Sequence, residues 1–277
     1  MLRVATRAEL RQALERRPGR IGFVPTMGCL HEGHLSLVDR ARARADTVVL
    51  SVYVNPLQFG PSEDLARYPR DLERDAALAA ARGVDVLFAP DDAEMYPRGT
   101  PEVRVAPGPL ADRLCGRFRP GHFEGVLTVV AKLFHIVRPD VAVFGQKDYQ
   151  QAVLVRRMAE DLDFPVAIEV APTVREPDGL AMSSRNTYLS AAERVRACAL
   201  FRGLSRAQEA FRQGERRADT LCALVLRTLE EHDVRPQYVE LVHPETLAPL
   251  AAAEPGSVLA VAAFVGTTRL IDNVILG

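Results

Sequence analysis

Three short segments of the chain carry polar residues that could bind the phosphates of a nucleotide. The first, residues 25–34, contains His31 and His34, three positions apart. On the first turn of a helix, residues at this spacing point the same way, beside free backbone N–H groups and the positive end of the helix dipole. Gly33 between them would let a phosphate approach the backbone, so the pattern favours an anion-binding helix start.

Other interpretations of the histidine pair stay open at this point. A zinc-protease motif needs histidines at positions i and i+4, and the residue four positions after His31 is Leu35. Two buried histidines without a chemical role would also fit the start of a helix. No G-x-G-x-x-G string follows the preceding apolar run, which argues against the usual dinucleotide-binding loop.

The second segment, residues 144–151, also follows a predicted strand and enters a predicted helix. Gly145 allows close approach of the backbone, Asp148 can cap the helix, and Lys147 offers an ammonium to the same crevice. Of the 35 basic residues, only Lys132 and Lys147 are lysines. A lysine kept in an arginine-biased chain indicates a place that needs a compact ammonium, although chance survival would look the same.

The third segment, residues 179–187, contains Ser183, Ser184 and Arg185. Two hydroxyls followed by a guanidinium can bind a phosphate. Because a loop exposed to solvent often has this composition, the segment supports a phosphate site only together with the other two.

The elements that must position these segments alternate along the first part of the chain. Apolar, β-branched runs typical of strands buried on both faces lie at residues 21–25, 47–54, 84–89, 141–144 and 166–171. Helical patterns lie at residues 6–17, 31–45, 71–82, 123–137 and 149–162. Strands that alternate with helices predict an α/β fold, a Rossmann-like doubly wound parallel sheet that binds ligands at the carboxyl ends of its strands.

The pattern changes after about residue 173. Helices are predicted at residues 191–213 and 218–232, and strands at residues 237–242, 258–265 and 269–276. The last two strands are joined by a short turn at Gly266, so they are expected to be antiparallel. We therefore predict a Rossmann-like domain over residues 1–173 and a smaller C-terminal α+β domain with an antiparallel sheet over residues 174–277.

Composition narrows the class of protein. The 277 residues are 48% hydrophobic, enough for a packed core, and the net charge of −1 gives no general attraction to nucleic acid or to an anionic membrane. The longest apolar run, residues 258–265, is too short to span a membrane, and the charged N-terminus does not resemble a secretory signal. Four cysteines without a C-x-x-C pair suit reduced thiols, so a cytoplasmic globular protein is expected.

Longer strings around the three segments resemble known families. The His-x-Gly-His element with a Met-Ser-Ser-Arg loop is similar to the nucleotidyltransferase superfamily, which includes class I aminoacyl-tRNA synthetases. A narrower set of strings, spread over residues 22–273, resembles the pantothenate synthetase (pantoate–β-alanine ligase) family. These strings are Pro-Thr-Met-Gly-x-Leu-His-x-Gly-His, Val-Asn-Pro-x-Gln-Phe, Arg-Tyr-Pro-Arg, His-Phe-x-Gly-Val, Gly-x-Lys-Asp-Tyr-Gln-Gln, Asp-Gly-Leu-Ala-Met-Ser-Ser-Arg-Asn and Gly-Thr-Thr-Arg-Leu-Ile-Asp-Asn.

The resemblance implies an ATP-dependent ligation of pantoate and β-alanine to pantothenate, a precursor of coenzyme A. The carboxylate of pantoate would attack the α-phosphate of ATP and release pyrophosphate. The amine of β-alanine would then attack the pantoyl adenylate and release AMP. Mg²⁺ would accompany ATP. The family also implies a homodimer in which the first domain binds ATP and pantoate and the C-terminal domain is a lid.

Carried over position by position, the resemblance assigns roles to individual residues. His34 would be the proton donor, and His31 and Lys147 would also be catalytic. The ATP-binding positions are Met27, Gly28, Cys29, Leu30, His31, Glu32, Gly33, His34, Gly145, Gln146, Lys147, Asp148, Val174, Met182, Ser183, Ser184 and Arg185. The chain departs from the family at Gln146, where glutamate is usual, and at Cys29, where a small or polar residue is common.

The glutamines Gln58 and Gln151 match the positions that bind pantoate in the family, and Gln58 also lies beside the β-alanine position. Pantoate must keep a nucleophilic carboxylate, and neutral amides can orient it without the strong ion pair that an arginine would form. Asn55, Tyr68 and Asp75 match lesser positions of that site, with Asp75 a magnesium contact.

Two competing functions remain at this point. A nucleotidyltransferase with a phosphate acceptor would need further arginines or lysines where this chain has Gln58 and Gln151. A catalytically silent nucleotide-binding protein is disfavoured because the histidine pair, Lys147 and the Ser-Ser-Arg string are all intact.

Overall fold

The fold is that of a computed structural model, which describes residues 1–61 and 63–277. The chain forms two compact units. Unit 1 contains Met1–Gly108, Arg119–Gly145 and Gln151–Pro172, and unit 2 contains Pro109–Phe118, Gln146–Gln150 and Thr173–Gly277. Unit 2 thus includes two short segments from earlier in the chain, and the division into domains at residues 173 and 174 stays a prediction.

Unit 1 is built on a parallel sheet. In the part of it that the structure describes, six strands pair in the order β1-β4-β3-β2-β5-β6. The strands are β1 (Leu2–Val4), β2 (Ile21–Thr26), β3 (Thr47–Val52), β4 (Val86–Phe88), β5 (Val141–Gly145) and β6 (Ala167–Ala171). The central strands are buried on both faces, as at Phe23, Val49 and Val143, which explains their continuous apolar runs. The predicted Rossmann-like parallel sheet is confirmed.

The α-helices begin at recognisable local signals. In chain order they are α1 (Arg7–Glu15), α2 (Glu32–Arg42), α3 (Leu72–Ala81), α4 (Asp92–Met95), α5 (Leu114–Phe118), α6 (His122–Val137), α7 (Tyr149–Asp161), α8 (Ala191–Ala197), α9 (Ala199–Arg212) and α10 (Ala218–Glu231). Thr6 and Glu9 form a capping box at α1, and Asp71 caps α3. None of the described helices has the length and apolar character needed to cross a membrane.

The order of the strands brings the carboxyl ends of β2 and β5 side by side. β2 pairs with β3 on one side and with β5 on the other, where Gly22 lies opposite Val141. From β2 the chain runs outward to β3 and β4, and later returns to β5 and β6 on the opposite side. Ligands of open α/β sheets bind at such a switch point. Residues 27–31 follow β2 and residues 146–148 follow β5, so the first two predicted segments do lie at strand ends.

Unit 2 contains an antiparallel sheet in the order β7-β8-β9. Its strands are β7 (Arg235–Val242), β8 (Val258–Val265) and β9 (Thr268–Ile275). A two-residue turn joins β8 to β9, and Gly266 in that turn has a positive φ of 59°. The apolar side chains of the sheet pack with those of α9 and α10 around fully buried residues such as Leu204 and Val261. The predicted α+β arrangement with an antiparallel sheet is confirmed.

Several elements differ from the sequence prediction, among them the short helices α4 and α5, which lie where no helix was expected. The single helix predicted over residues 191–213 is wrong, because the backbone turns at Cys198 and separates α8 from α9. No glycine or proline lies within residues 191–202 to mark this break. Strand β1 was not predicted, since it is three residues long, lies at the edge of the sheet and buries only Val4. Such a strand has no local apolar pattern.

Candidate functional site

A tight turn between β2 and α2 positions the histidine pair. Gly28 and Cys29 both have positive φ values, of 80° and 50°. A Cβ atom on Gly28 would lie 2.8 Å from Asp75 Oδ2 and 2.9 Å from Val52 Cγ1, so this position requires glycine. The left-handed backbone at Cys29 costs about 1–2 kcal/mol, which neighbouring contacts must offset.

Asp75, on α3, supplies such contacts. Its Oδ2 accepts a hydrogen bond from the N–H of Cys29 at 2.8 Å, and its Oδ1 accepts one from the N–H of Leu30 at 2.7 Å. Arg74 donates to the carbonyl of Leu30 at 3.1 Å. Burial raises the pKa of Asp75, although the N–H groups of Leu30 and Cys29 act in the opposite direction. Asp75 is therefore a scaffold for the turn, and its role as a magnesium contact stays a prediction.

The imidazole rings of His31 and His34 lie together at the start of α2. Their centroids are 4.1 Å apart and their planes are inclined by 32°. His31 immediately precedes the helix, and its carbonyl accepts hydrogen bonds from the N–H groups of His34 at 2.8 Å and Leu35 at 3.1 Å. The prediction that both rings point the same way is confirmed. Imidazoles at this position can donate to an anion whose charge the helix dipole also favours.

Gln58 ends a 3₁₀ turn that begins after Asn55. The buried side chain of Asn55 donates to Gln58 Oε1 at 3.0 Å and to the carbonyl of Gly125 at 3.1 Å. Its Oδ1 accepts a hydrogen bond from the hydroxyl of Tyr96 at 2.8 Å. The amide nitrogen of Gln58 points to the thioether of Met27, 3.1 Å away. The structure thus brings together Met27, Asn55 and Gln58, which the sequence had assigned to one site.

Arg119 and Glu63, which the sequence analysis did not single out, form a pair that supports this turn through His122. Arg119 forms two hydrogen bonds with the carboxylate of Glu63 and a third with His122 Nε2, at 2.9 Å. A guanidinium only donates, so Nε2 accepts, and Nδ1 of the same ring donates to the carbonyl of Gln58 at 2.8 Å. The His-Phe-x-Gly-Val string pointed to this region, but nothing local links Arg119 to Glu63, 56 positions away.

Three further predicted residues of unit 1, Tyr68, Gln151 and Glu32, each lie in a different environment. Tyr68 is buried, and its ring lies 6.0 Å from that of Phe59 in an edge-to-face arrangement. Gln151 is half-buried in the first turn of α7. Glu32 lies on the exposed side of α2, where it forms an ion pair with Arg82 at 2.6 Å. An ion pair of this exposure contributes little to stability.

In unit 2, Lys147 lies in a 3₁₀ turn formed by Gln146–Asp148. Its side chain is 20% exposed, and its Nζ is 4.0 Å from Asp148 Oδ2. Asn273, on β9, donates to the carbonyls of Gln146 and Lys147, at 3.0 Å each. The turn therefore presents a largely buried ammonium on a backbone that a side chain from a distant strand holds.

The third predicted segment follows a narrow loop in unit 2. The N–H of Met182 donates to the carbonyl of Val174 at 3.0 Å, so two predicted ATP-binding residues are neighbours. Ser183 then caps a 3₁₀ turn, with its Oγ accepting a hydrogen bond from the N–H of Arg185 at 3.3 Å. Ser184 is buried, whereas Ser183 and Arg185 are half-buried. The two hydroxyls and the guanidinium thus belong to one compact turn.

The predicted site residues fall in both units. Those of unit 1 include Met27–His34, Gln58, Asp75, Gly145 and Gln151, and those of unit 2 include Gln146, Lys147, Asp148, Val174 and Met182–Arg185. Among residues 1–61 and 63–277, no three histidine, cysteine, aspartate or glutamate side chains are grouped closely enough to hold a metal ion. A magnesium ion that binds through the phosphates of ATP needs no such protein cage.

Comparisons with known proteins match nearly the whole chain. The family described as Pantoate-beta-alanine ligase matches residues 3–275. Pantothenate synthetase 1 of Bradyrhizobium diazoefficiens is 57% identical over 276 residues, covering 97% of this chain and 96% of that protein. The crystal structure of pantothenate synthetase from Thermus thermophilus has a TM-score of 0.95 at 52% identity, over 100% of this chain and 99% of that chain. Pantoate-beta-alanine ligase from Francisella tularensis, solved with beta-gamma ATP and beta-alanine, has a TM-score of 0.82 at 34% identity, over 99% and 97%.

Proposed function

The chain belongs to the pantoate-beta-alanine ligase family and has that enzyme activity, and we propose that it makes pantothenate through a pantoyl adenylate. In the first step the carboxylate of pantoate attacks the α-phosphate of ATP, a carboxyl–phosphate bond forms, and pyrophosphate leaves. In the second step the amine of β-alanine attacks the acyl carbon, an amide bond forms, and AMP leaves while the amine gives up a proton.

The observation that carries this mechanism is the pair of imidazoles at the start of α2. Attack on an α-phosphate places negative charge on the phosphoryl oxygens and on the leaving pyrophosphate. We assign to His31 and His34 the stabilisation of that negative charge, with His34 as the proton donor. Their rings lie 4.1 Å apart at the positive end of a helix. Asp75 fixes the turn before them, and donors fixed in advance are the ones that lower such a barrier most.

We assign further phosphate contacts to unit 2. Lys147 carries an ammonium on a turn that Asn273 holds. Ser183, Ser184 and Arg185 supply two hydroxyls and one guanidinium from a single 3₁₀ turn. Charged donors such as this ammonium and this guanidinium form stronger hydrogen bonds with phosphate oxygens than neutral hydroxyls do. Mg²⁺ bound to the phosphates of ATP would neutralise part of their charge and would need at most one or two protein carboxylates as ligands.

Gln58 binds pantoate in this mechanism by donating from its amide nitrogen. Because Asn55 holds Oε1, the Nε2 group is presented as a donor, and its partner in the structure is the thioether of Met27. A thioether is a weak acceptor, so an oxygen of pantoate would replace it readily. Gln151 supplies the second amide, and β-alanine lies beside Gln58. The carboxylate stays nucleophilic because neither amide forms an ion pair with it.

Exchange of labelled pyrophosphate into ATP tests the adenylate. We expect exchange when pantoate and Mg²⁺ are present and β-alanine is absent, because the first step is complete without the amine. Omitting pantoate is the control and should abolish exchange. Pantothenate formation without any exchange in the absence of β-alanine would contradict a free-standing adenylate intermediate.

Family membership also supports a homodimer in the cytoplasm. Light scattering coupled to gel filtration would give twice the 30.4 kDa mass of the chain if the enzyme is a dimer. A monomer at micromolar concentration, with full activity, would contradict this assembly.

A further inference from the structure

We infer that Asp272 and Asn273, adjacent residues on β9, are positioning residues for the phosphate-binding groups of unit 2. The inference rests on the roles proposed above for Lys147 and the Ser183–Arg185 turn. Asp272 and Asn273 are the last two residues of the Gly-Thr-Thr-Arg-Leu-Ile-Asp-Asn string. The mechanism proposed above assigns no role to this string. Asn273 contacts the turn that carries Lys147, and Asp272 contacts Arg175, in the loop that leads to Ser183.

Asn273 directs both ends of its carboxamide to the turn that bears Lys147. Its amide nitrogen donates to the carbonyls of Gln146 and Lys147, at 3.0 Å each, and its Oδ1 accepts a hydrogen bond from Gln146 Nε2 at 3.2 Å. The residue is 2% exposed. Because one carboxamide binds two successive carbonyls, the backbone of this turn has little freedom. The Cα atom from which the Lys147 side chain extends is therefore held in place.

Asp272 makes the corresponding contact with the loop that leads to Ser183. Its carboxylate accepts two parallel hydrogen bonds from Arg175, at 2.6 and 2.9 Å, and the carboxylate is buried. The guanidinium of Arg175 also donates to the carbonyl of Gly179 at 3.1 Å and stacks on the ring of Phe201, 3.8 Å from its centroid. A forked pair with a stacked guanidinium allows one orientation, so this loop is held as firmly as the lysine turn.

The positive charge of Lys147 also acts on the pKa of Asp272. Burial raises the pKa of Asp272, while the hydrogen bonds and charge of Arg175, the N–H of Asn273 and, as the smallest of these effects, the charge of Lys147 act in the opposite direction. The buried carboxylate thus attracts the ammonium whose backbone Asn273 holds. Both side chains start from a strand that is paired along its length with β8, where Asp272 lies opposite Val261 and Asn273 opposite Ala260. β9 is therefore a rigid base for two phosphate-binding segments.

Pyrophosphate exchange in the Asn273→Ala enzyme tests the first half of this inference. A displacement of about 1 Å at a catalytic group can lower a rate roughly a hundredfold. We expect the exchange rate at saturating substrates to fall about tenfold to a hundredfold, with the KM for pantoate changed less than threefold. Gln237→Ala, which also deletes an amide from a strand of the same sheet and loses a contact with Arg269, is the matched control and should change neither value.

A double-mutant cycle with Lys147→Ala separates positioning from simple stabilisation. If Asn273 acts through Lys147, the double variant should exchange pyrophosphate about as slowly as Lys147→Ala alone. Losses that multiply would overturn the inference, as would an Asn273→Ala enzyme that melts earlier but keeps its rate. If Asn273→Ala does not fold, Asn273→Ser keeps one hydroxyl donor for the two carbonyls and should give a smaller loss in the same direction.

Asp272→Asn tests the second half. The substituted amide nitrogen would face a guanidinium that can only donate, so the loop before Ser183 should lose its fixed orientation. We expect the KM for ATP to rise about tenfold while that for pantoate changes less than threefold. Arg175→Lys keeps the charge and one donor and should show a smaller rise. Equal effects on both substrates would overturn this assignment, whereas a wild-type enzyme without pantoate-dependent exchange would contradict the proposed function itself.

Discussion

The guanidinium of Arg119 donates hydrogen bonds to both carboxylate oxygens of Glu63, at 2.6 and 2.7 Å. The pair is largely shielded from solvent, with side chains 14% and 24% exposed. A further donor of the same guanidinium fixes the ring of His122, and that ring donates to the backbone carbonyl of Gln58. Asn55 holds the side chain of Gln58 from the other direction. Gln58, which we propose binds pantoate, is therefore held at both its backbone and its side chain in the absence of substrate.

Substituting Gln58 should affect pantoate far more than ATP. Gln58→Ala removes a hydrogen bond to a charged group, worth about 1.5–3 kcal/mol, which corresponds to roughly a tenfold to hundredfold loss of pantoate affinity. Gln58→Glu should suppress adenylation further, because a second carboxylate would repel the nucleophile. Pantoate saturation of the exchange reaction and ATP binding should be measured on one preparation.

An exposed glutamine provides the control for that experiment. Gln12 lies on the exposed side of α1, so Gln12→Glu changes the charge by the same amount away from the site. It should leave both measurements unchanged. If Gln58→Glu keeps its pantoate affinity, or loses ATP binding to the same degree, Gln58 does not bind pantoate.

Removing the imidazole that holds the Gln58 backbone should have a milder effect of the same kind. His122→Ala deletes the hydrogen bond from Nδ1 to the Gln58 carbonyl and leaves the chemistry of the amide intact. We expect the KM for pantoate to rise about threefold to tenfold, consistent with one neutral hydrogen bond of about 0.5–1.5 kcal/mol. His122→Asn, whose amide can donate to the same carbonyl, should recover part of the loss. Steady-state kinetics with each substrate varied would check this, and an unchanged KM for pantoate would contradict the holding role.

The Arg119–Glu63 pair should make stability depend on pH. Burial raises the pKa of Glu63, but the hydrogen bonds and charge of Arg119 and the N–H of Gly60 outweigh it, so the pKa lies below its ordinary value of 4.5. A carboxyl group with a lower pKa in the folded state stabilises the fold above its unfolded pKa and loses that contribution as the pH falls through the folded value. Glu63→Gln should therefore lower the free energy of unfolding more at pH 7 than at pH 3.

Urea unfolding of both proteins, followed by circular dichroism at the two pH values, measures this difference. Glu73→Gln is a suitable control, because Glu73 is 80% exposed and its ion pair with Arg3 is screened by solvent. A difference between wild type and Glu63→Gln that grows toward low pH would mean that the carboxylate is not stabilised in the fold.

Asp75→Asn separates a structural role from a magnesium role. The carboxylate accepts hydrogen bonds from the N–H groups of Cys29 and Leu30, and in the variant one of these donors would face an amide N–H₂. An unsatisfied buried donor costs about 1–3 kcal/mol. We expect lower thermal stability and slower pyrophosphate exchange, with the rate not restored by raising Mg²⁺. Titrating MgCl₂ against the exchange rate measures this. Full recovery at high Mg²⁺ would assign Asp75 to the metal instead.

Local patterns in the sequence were sufficient for the framework of unit 1 and for the histidine pair. β-branched runs predicted β2, β3 and β5, and the spacing of His31 and His34 predicted adjacent rings, because these features depend on neighbours in the chain. The contacts that hold the site depend on residues far apart. Asn273 reaches Lys147 across 126 positions, and no pattern of propensity or period encodes such a pairing. The strands and the adjacent histidine rings were therefore easier to predict than the side chains that hold distant segments together.

Lys147 offers the most direct test of the chemistry, since the chain keeps only one other lysine. Lys147→Ala removes the ammonium that we propose as a phosphate donor and should slow pyrophosphate exchange about 10²- to 10³-fold while the thermal unfolding temperature stays close to that of wild type. Lys147→Arg should also fail substantially. The turn beneath it is held by Asn273 and the side chain is 20% exposed, so the broader, planar guanidinium cannot simply take the place of an ammonium.

The second lysine supplies the matched control for that substitution. Lys132 lies on α6 with its Nζ 5.5 Å from the centre of the Tyr96 ring, and burial lowers its pKa. Arginine also binds well over an aromatic ring, so Lys132→Arg should leave the exchange rate within about twofold of wild type. Exchange rates at saturating ATP and pantoate, measured for both arginine variants, would decide between the two explanations of lysine scarcity. Near-normal turnover of Lys147→Arg would mean that any positive charge suffices at this turn, and that the retained lysine has no chemical significance.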